Sequence, residues 1–387
     1  MSGRPEPFVL QVPEEAIGDL QERLARTRFP DQAPGPSWAH GTDVAYLREL
    51  VGHWRGGFDW RAQEARLNAV PQFKVRLHGI GLHYLHVPGK GPDPLPLLLL
   101  HGWPGSVLEF LELIPLLADP ASHGGDPADA FTVVAPSLPG FGLSFAPGQP
   151  RFSVEAMADC LAELMTGVLG HRRFGAQGGD WGSFVASRLG YACPDQMVGI
   201  HLNLMPLRRD PAIVADPTPE ERRYLGELAA WMKEETGYQW IQGTRPQTLA
   251  FALTDSPAGL AAWIVEKFRA WSDCGGDVES VFTKDQLLAN VSLYWFTGAI
   301  GSSFWPYYAR LHGPWPIPEG ATVGVPTGYA GFPREILRPP RSLAARTFTD
   351  LRRWSVMERG GHFAAMEQPE ALAREVRELF RPLRGPA

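Results

Sequence analysis

Cysteine is scarce in this chain. Cys160, Cys193 and Cys274 are scattered and odd in number, which speaks against a disulfide framework and against a zinc site. Lysine is scarce too, with five residues beside abundant arginine, a skew read as genomic base composition rather than function. A basic excess is missing. The formal net charge is -6, so there is no electrostatic footprint for nucleic acid. Long apolar runs are missing as well, and none approaches the roughly 20 residues of a bilayer span. Met1-Ser2-Gly3-Arg4-Pro5-Glu6-Pro7 is polar and proline-rich, without the apolar core of a secretion signal. A cytoplasmic location is therefore expected, with neither membrane nor nucleic acid as partner. What remains is a chain of 387 residues without internal repeats. It is long enough for one large domain with an insertion, or for two domains, and for a sizeable core.

The most telling segment is central. Residues 173–177 read as a short buried strand and 184–189 as a helix, with Gly178-Gly179-Asp180-Trp181-Gly182-Ser183 between them. An N-cap aspartate closing a loop would produce a similar pattern, so the context has to decide. Glycines on both sides of one reactive residue, between a strand and a helix, form the nucleophile elbow of an α/β-hydrolase. Asp180 stands where serine is usual. A carboxylate there attacks an electrophilic carbon and forms an alkyl ester, which suits epoxides and alkyl halides rather than peptides.

Three further segments fit that elbow. The run 95–100 is continuously apolar, as in a parallel strand covered on both faces. It leads into His101-Gly102-Trp103-Pro104-Gly105-Ser106, the place of the oxyanion loop, so the backbone N–H groups of Trp103 and Trp181 are the expected donors. Near the C-terminus, 353–357 reads as a strand, and Glu358-Arg359-Gly360-Gly361-His362-Phe363 puts His362 where this fold keeps its base. The acid should follow the preceding strand, placed at 321–325. Glu335 is the carboxylate in 326–335, and Asp350 is its nearest rival. Glu335 also suits the first turn of a helix after Pro333.

Around these segments the chain divides into an N-terminal arm (1–87), a core (88–205), a helical cap (206–312) and a second core part (313–387). In the arm, 13–26, 44–54 and 60–70 show helical spacing, 30–37 is a proline-rich linker, and 73–77 and 82–87 alternate like paired strands turning at 79–81. The arm is expected to wrap the core and buttress the cap. Residues 131–136 and 198–203 read as further core strands. Ser137-Leu138-Pro139-Gly140-Phe141-Gly142-Leu143-Ser144 resembles the Pro-Gly-x-Gly-x-Ser loop common among α/β-hydrolases, which implies tight packing under the site. In the insertion, helices are expected at 220–235, 257–271 and 284–297. The tryptophans there, 231, 240, 263, 271, 295 and 305, should mostly pack the interior, with a few lining an apolar pocket.

These motifs together resemble the microsomal-type epoxide hydrolase family. The matching stretches are His101 to Ser106, Gln177 to Ser183, Phe332-Pro333-Arg334-Glu335 and Arg359-Gly360-Gly361-His362-Phe363-Ala364-Ala365. The likeness runs nearly the whole length and includes an N-terminal extension over about 8–87. It departs from membrane members, which carry an N-terminal anchor. The resemblance implies an α/β-hydrolase fold with a mostly parallel central sheet, a helical cap and that extension. It also implies two cap tyrosines that hold the epoxide oxygen. Their counterparts are Tyr238, in Thr236-Gly237-Tyr238-Gln239-Trp240, and Tyr307, with Tyr308 adjoining as the alternative.

The expected chemistry has two halves. Asp180 opens the ring while Tyr238 and Tyr307 donate to the departing oxygen. His362, oriented by Glu335, then activates water against the ester, the Trp103 and Trp181 amides hold the oxyanion, and a vicinal diol leaves. The partners expected are an aryl or bulky alkyl epoxide and water. No metal or organic cofactor is called for, and a homodimer stays open. Two other readings stand beside this one. A haloalkane dehalogenase uses the same nucleophile but wants N–H donors for its halide. A non-catalytic binding protein would have no use for a complete set of nucleophile, acid, base and oxyanion loop.

Overall fold

The computed structural model of the chain describes residues 3–208, 214 and 216–384. Part of the expected cap entry, 209–213 and 215, lies outside the described residues, as do both extreme ends. Nine strands form one sheet: β1 (Glu6–Pro7), β2 (Gln72–Leu77), β3 (Ile80–Val87), β4 (Leu95–Leu100), β5 (Phe131–Pro136), β6 (Phe174–Gly178), β7 (Met197–Leu202), β8 (Thr327–Gly331) and β9 (Leu351–Val356). Their order is β1-β2-β3-β5-β4-β6-β7-β8-β9. β1, β2, β3 and β5 pair antiparallel, and every pair from β5 through β4 to β9 is parallel.

The apolar run of β4 explains its central place. Leu97 and Leu99 enter one hydrophobic cluster, Leu98 and Leu100 enter another, and all four are fully buried. Burying each stabilises the fold by roughly 1.5–3 kcal/mol, which fixes the register of the strand that ends at the oxyanion loop. The chain leaves β4 for β5 on one side and returns to β6 on the other. That reversal opens a crevice at the carboxyl ends of β4 and β6, the usual ligand site of an open parallel sheet.

The elbow helix is Asp180–Ala192 and the last helix is Pro369–Phe380. Leu372, Ala373, Val376, Leu379 and Phe380 make a buried stripe on the latter, at the spacing of a single helix face. The insertion is helical as expected, but more broken. Pro219–Glu234, Gly237–Thr244, Pro246–Asp255, Pro257–Trp271, Lys284–Thr297, Ile300–Ser303 and Trp305–His312 follow one another. The prolines at 246 and 257 each open a helix, the position where a missing N–H costs nothing.

The N-terminal arm does two things. Its strands β1–β3 extend the core sheet, so the expected boundary at 87 crosses a continuous sheet. Its helices, Glu14–Ala25, Val44–Gly56 and Trp60–Asn68, reach the cap. Trp54 Nε1 donates to Ser292 Oγ at 3.0 Å, Thr42 Oγ1 to the Ala262 carbonyl at 2.7 Å, and His53 Nε2 lies 2.7 Å from Asp285.

Three local expectations need correcting. The hairpin turns at His78 and Gly79, with φ of 47° and 82°, rather than at 79–81. Positive φ at both central residues is what a tight two-residue hairpin demands. The strand expected at 321–325 is only an isolated bridge from Val323 to Phe348. The core strand is β8, within the stretch expected to be loop. Its glycines concealed it. A Cβ at Gly328 would lie 2.8 Å from Leu379, so close packing of the last helix requires a residue of low strand propensity. No helix opens at Pro333, because Pro339 and Pro340 leave too little chain for one.

Candidate active site

Asp180 has a backbone φ of 45°. This left-handed region costs a side-chain-bearing residue roughly 1–3 kcal/mol and persists only where packing dictates it. The packing is visible at the flanking glycines. A Cβ on Gly182 would run into the carbonyl oxygen of Leu100, and one on Gly178 into that of Gly182. The elbow therefore lies directly on the end of β4. Ser183 Oγ donates to the Asp180 carbonyl at 2.6 Å.

The adjacent loop is held from below. Leu138 N–H donates to His101 Nε2 at 3.1 Å, so the His101 proton is on Nδ1, 3.1 Å from the Gly102 carbonyl. Burial holds His101 down at about 4, despite the Gly102 carbonyl and Asp180. The tight loop before Ser144 joins in, with Ser144 Oγ donating to the Ser137 carbonyl at 2.7 Å. This anchoring aims the Trp103 N–H at Asp180 Oδ1, 2.8 Å away. Trp181, the second expected amide, occupies the next position of the elbow helix.

His362 and Glu335 converge on the same carboxylate. His362 Nε2 lies 3.5 Å from Asp180 Oδ2, and its Nδ1 lies 2.6 Å from Glu335 Oε1. The same Oε1 accepts the Ile336 N–H at 2.7 Å. The Glu335 side chain has no exposed surface and the Asp180 side chain keeps 14%. Burial opposes protonation of His362, but the Glu335 and Asp180 carboxylates outweigh it and push the imidazole well above its usual range. A bridge between Arg334 and Gly361 ties the two loops, and the His362 N–H donates to the Trp271 carbonyl at 2.9 Å. Asp350 is elsewhere, paired with Arg352 at 2.7 Å.

The cap supplies a lid of aromatic rings. Tyr238 stacks on Trp103 with centroids 5.3 Å apart and planes 11° apart. Tyr307 meets Trp181 edge-on at 4.7 Å and Tyr238 at 5.8 Å. Both tyrosines are buried. Tyr308 is not part of this group and stacks instead between Trp305 and His312 at 4.8 and 4.1 Å. Trp271 packs 5.0 Å from His362 and 5.3 Å from Tyr238.

Some neighbours carry no motif of their own. Gln239 Nε2 donates to Tyr238 Oη at 2.8 Å, and Lys267 Nζ lies 4.9 Å from the centre of the Tyr238 ring. Adjacency to Tyr238 was the one available signal for Gln239. Glu109 sits in the turn Val107–Phe110, which looks like the start of an ordinary helix. Its carboxyl is nonetheless displaced. Burial pushes it up to about 8, with His362 pulling the other way and Asp180 adding to the rise. Among the described residues, no group of three or more His, Cys, Asp or Glu side chains is placed to hold a metal ion.

Comparison with known proteins agrees with this geometry. Residues 5–110 match the family described as epoxide hydrolase N terminus, and 96–218 match the alpha/beta hydrolase fold. A provisionally named epoxide hydrolase of Stigmatella aurantiaca is 45% identical over 98% of this chain and 85% of its own length. Epoxide hydrolase 1 of Sus scrofa is 37% identical over 97% of this chain and 88% of that protein. The crystal structure of juvenile hormone epoxide hydrolase from Bombyx mori superposes with a TM-score of 0.88 at 32% identity, covering 99% of this chain and 95% of the other. A relative 45% identical over nearly the whole chain, and a solved structure that superposes over 99% of it, place this chain in the epoxide hydrolase family of the α/β-hydrolase fold.

Proposed function

We propose that this chain hydrolyses an apolar epoxide to a vicinal diol through an ester on Asp180. One observation carries the reading: a carboxylate held at the elbow by an amide and a histidine, beneath two buried cap tyrosines. The two carboxylate oxygens have different neighbours. Oδ1 is engaged by the Trp103 N–H and Oδ2 faces His362. Oδ2 attacks one ring carbon from behind, and the C–O bond on the far side breaks. Tyr238 and Tyr307 donate to the oxygen as it gains alkoxide character. A phenol with a pKa of about 10 is a far better acid than water yet stays protonated at neutral pH.

In the second half-reaction a water loses its proton to His362 Nε2 and bonds to the Asp180 carboxyl carbon. Negative charge collects on Oδ1, where the amide donor already stands. Collapse expels the diol oxygen, which takes the proton back from His362. The water's second proton, left on the re-formed Asp180 carboxyl, passes through solvent to the oxygen opened in the first half-reaction, so that Asp180 ends as a carboxylate and the product as a diol. Glu335 holds the ring and stabilises its charged form. Esterification removes the Asp180 charge that helps keep His362 protonated, so the imidazole becomes a base at the stage that needs one.

The aromatic rings over Asp180, namely Trp103, Tyr238, Trp271 and Tyr307, support an aryl or bulky alkyl epoxide. The test is a panel of racemic aryl and alkyl epoxides assayed for diol, with chloroalkanes assayed for halide. Diol formation should dominate by orders of magnitude. Faster halide release than ring opening would replace this reading with dehalogenation.

A further inference from the structure

A second cavity lies against the elbow, with about 20 Å³ of room for a water-sized sphere. One water needs roughly 10–15 Å³ by that measure and two to four polar partners. The lining supplies them: Glu109, Gln177, Asp180, Asn203 and His362. Gln177 Nε2 is committed to Asn203 Oδ1 at 2.8 Å, while Gln177 Oε1 is buried without a hydrogen-bond partner.

Glu109 is the odd member of this set. It forms no ion pair among the described residues, and desolvation favours its neutral form. Its carboxyl occupies the space beside Gly105, where any Cβ would overlap Oε1. The surrounding backbone is pinned by Asn290 Nδ2 donating to the Pro104 carbonyl and Tyr294 Oη to the Gly105 carbonyl, both at 2.8 Å. A loop shaped around an acid that makes no ion pair, in a cavity shared with a histidine and a carboxylate, has a use beyond packing.

We propose that Glu109 positions the hydrolytic water, holding it between its own carboxyl and His362 Nε2. The assignment rests on the aspartyl-ester reading and deepens it. Glu109 takes no proton in the step. Water gives its proton to His362 and its oxygen to the Asp180 carboxyl carbon, while Glu109 fixes the direction of the lone pair. Alkylation of Asp180 does not use that water, so the two half-reactions separate the roles.

The experiment is rapid mixing of the full-length enzyme with styrene oxide, with alkylation and ester hydrolysis followed separately by tryptophan fluorescence and quenched-flow mass spectrometry. Glu109→Leu should slow hydrolysis about 10- to 100-fold, the scale of a lost positioning contact, and leave alkylation within about threefold, so that ester accumulates. Glu109→Gln, which still hydrogen-bonds water, should recover most of the loss. Glu109→Asp keeps the acid with a shorter reach and should show the same selective slowing, which covers the case where leucine prevents folding. Unchanged hydrolysis in Glu109→Asp and Glu109→Leu, or equal loss in both half-reactions, overturns the proposal. Absence of any ester in the wild type and in His362→Gln would instead remove the reading beneath it.

Discussion

Asp180, His362 and Glu335 form a chain of two carboxylates with one imidazole between them, and the order of events follows from their charges. His362→Gln should leave alkylation and stop ester hydrolysis, since general-base loss costs about 10²–10⁴ in rate. The ester then accumulates on Asp180 and is seen by mass spectrometry. Glu335→Gln should do less damage but move a titration. Removing this carboxylate lowers the His362 pKa, so the rise of the hydrolysis rate with pH should shift to lower pH. A shift upward, or none, would contradict the charge assignment. Tyr238→Phe and Tyr307→Phe should each slow alkylation by roughly one to three orders of magnitude, comparable to one lost oxyanion donor. Tyr308→Phe should leave it unchanged, as this ring stacks between Trp305 and His312. Residues with a motif around them could be singled out in advance, while the choice between Tyr307 and Tyr308 stayed open in the sequence and is separated only by the packing that sets Tyr307 beside Tyr238 and Tyr308 against Trp305. Lys267 and Glu109 could not be singled out, because their positions relative to the site come from folding and not from spacing, and Gln239 offered only its adjacency to Tyr238.

At the scale of elements, the strands and helices that carry the site were legible where the pattern was strong. The leucine run of β4 read directly, as did the strand and helix on either side of the elbow. β8 did not, since Gly328 and Gly331 serve close packing and erase the strand signal. The same trade is visible at the elbow, where glycine is demanded by contact with β4. Gly182→Ala should therefore cost about 1–3 kcal/mol as overpacking against the Leu100 carbonyl. It should lower activity more than stability, because the displaced element is the one that carries Asp180. A thermal melt alongside an alkylation rate checks this. A fully active variant of unchanged melting temperature would mean that the elbow has more room than its contacts allow.

Across the whole molecule, buried histidines set the response to acid. Burial holds His83 down at about 3 and His201 at about 4. His201 has no hydrogen-bond partner on either ring nitrogen. Such a group is neutral in the folded chain and becomes charged only in the unfolded one as pH falls below about 6.5. The stability it leaves intact above that value is lost progressively as pH falls toward the folded pKa. For His201 the loss is on the order of 3 kcal/mol by the end of the window. His362 acts in the opposite sense, contributing stability below about 6.5 that disappears as pH rises through its elevated folded value. His201→Leu should flatten the fall in melting temperature between pH 6.5 and 4 without altering turnover at neutral pH. An unchanged acid slope would count against this source of acid sensitivity.

The central claim is that Asp180 becomes covalently attached to substrate and is released by attack at its own carboxyl carbon. A single turnover in ¹⁸O-water, with enzyme in excess over styrene oxide, tests it most directly. Peptide mass spectrometry should find one heavy oxygen in the Asp180 carboxylate, and the first diol released should be unlabelled. Label confined to the diol, with Asp180 unlabelled, would mean that water attacks the epoxide directly and that the elbow aspartate is not the nucleophile.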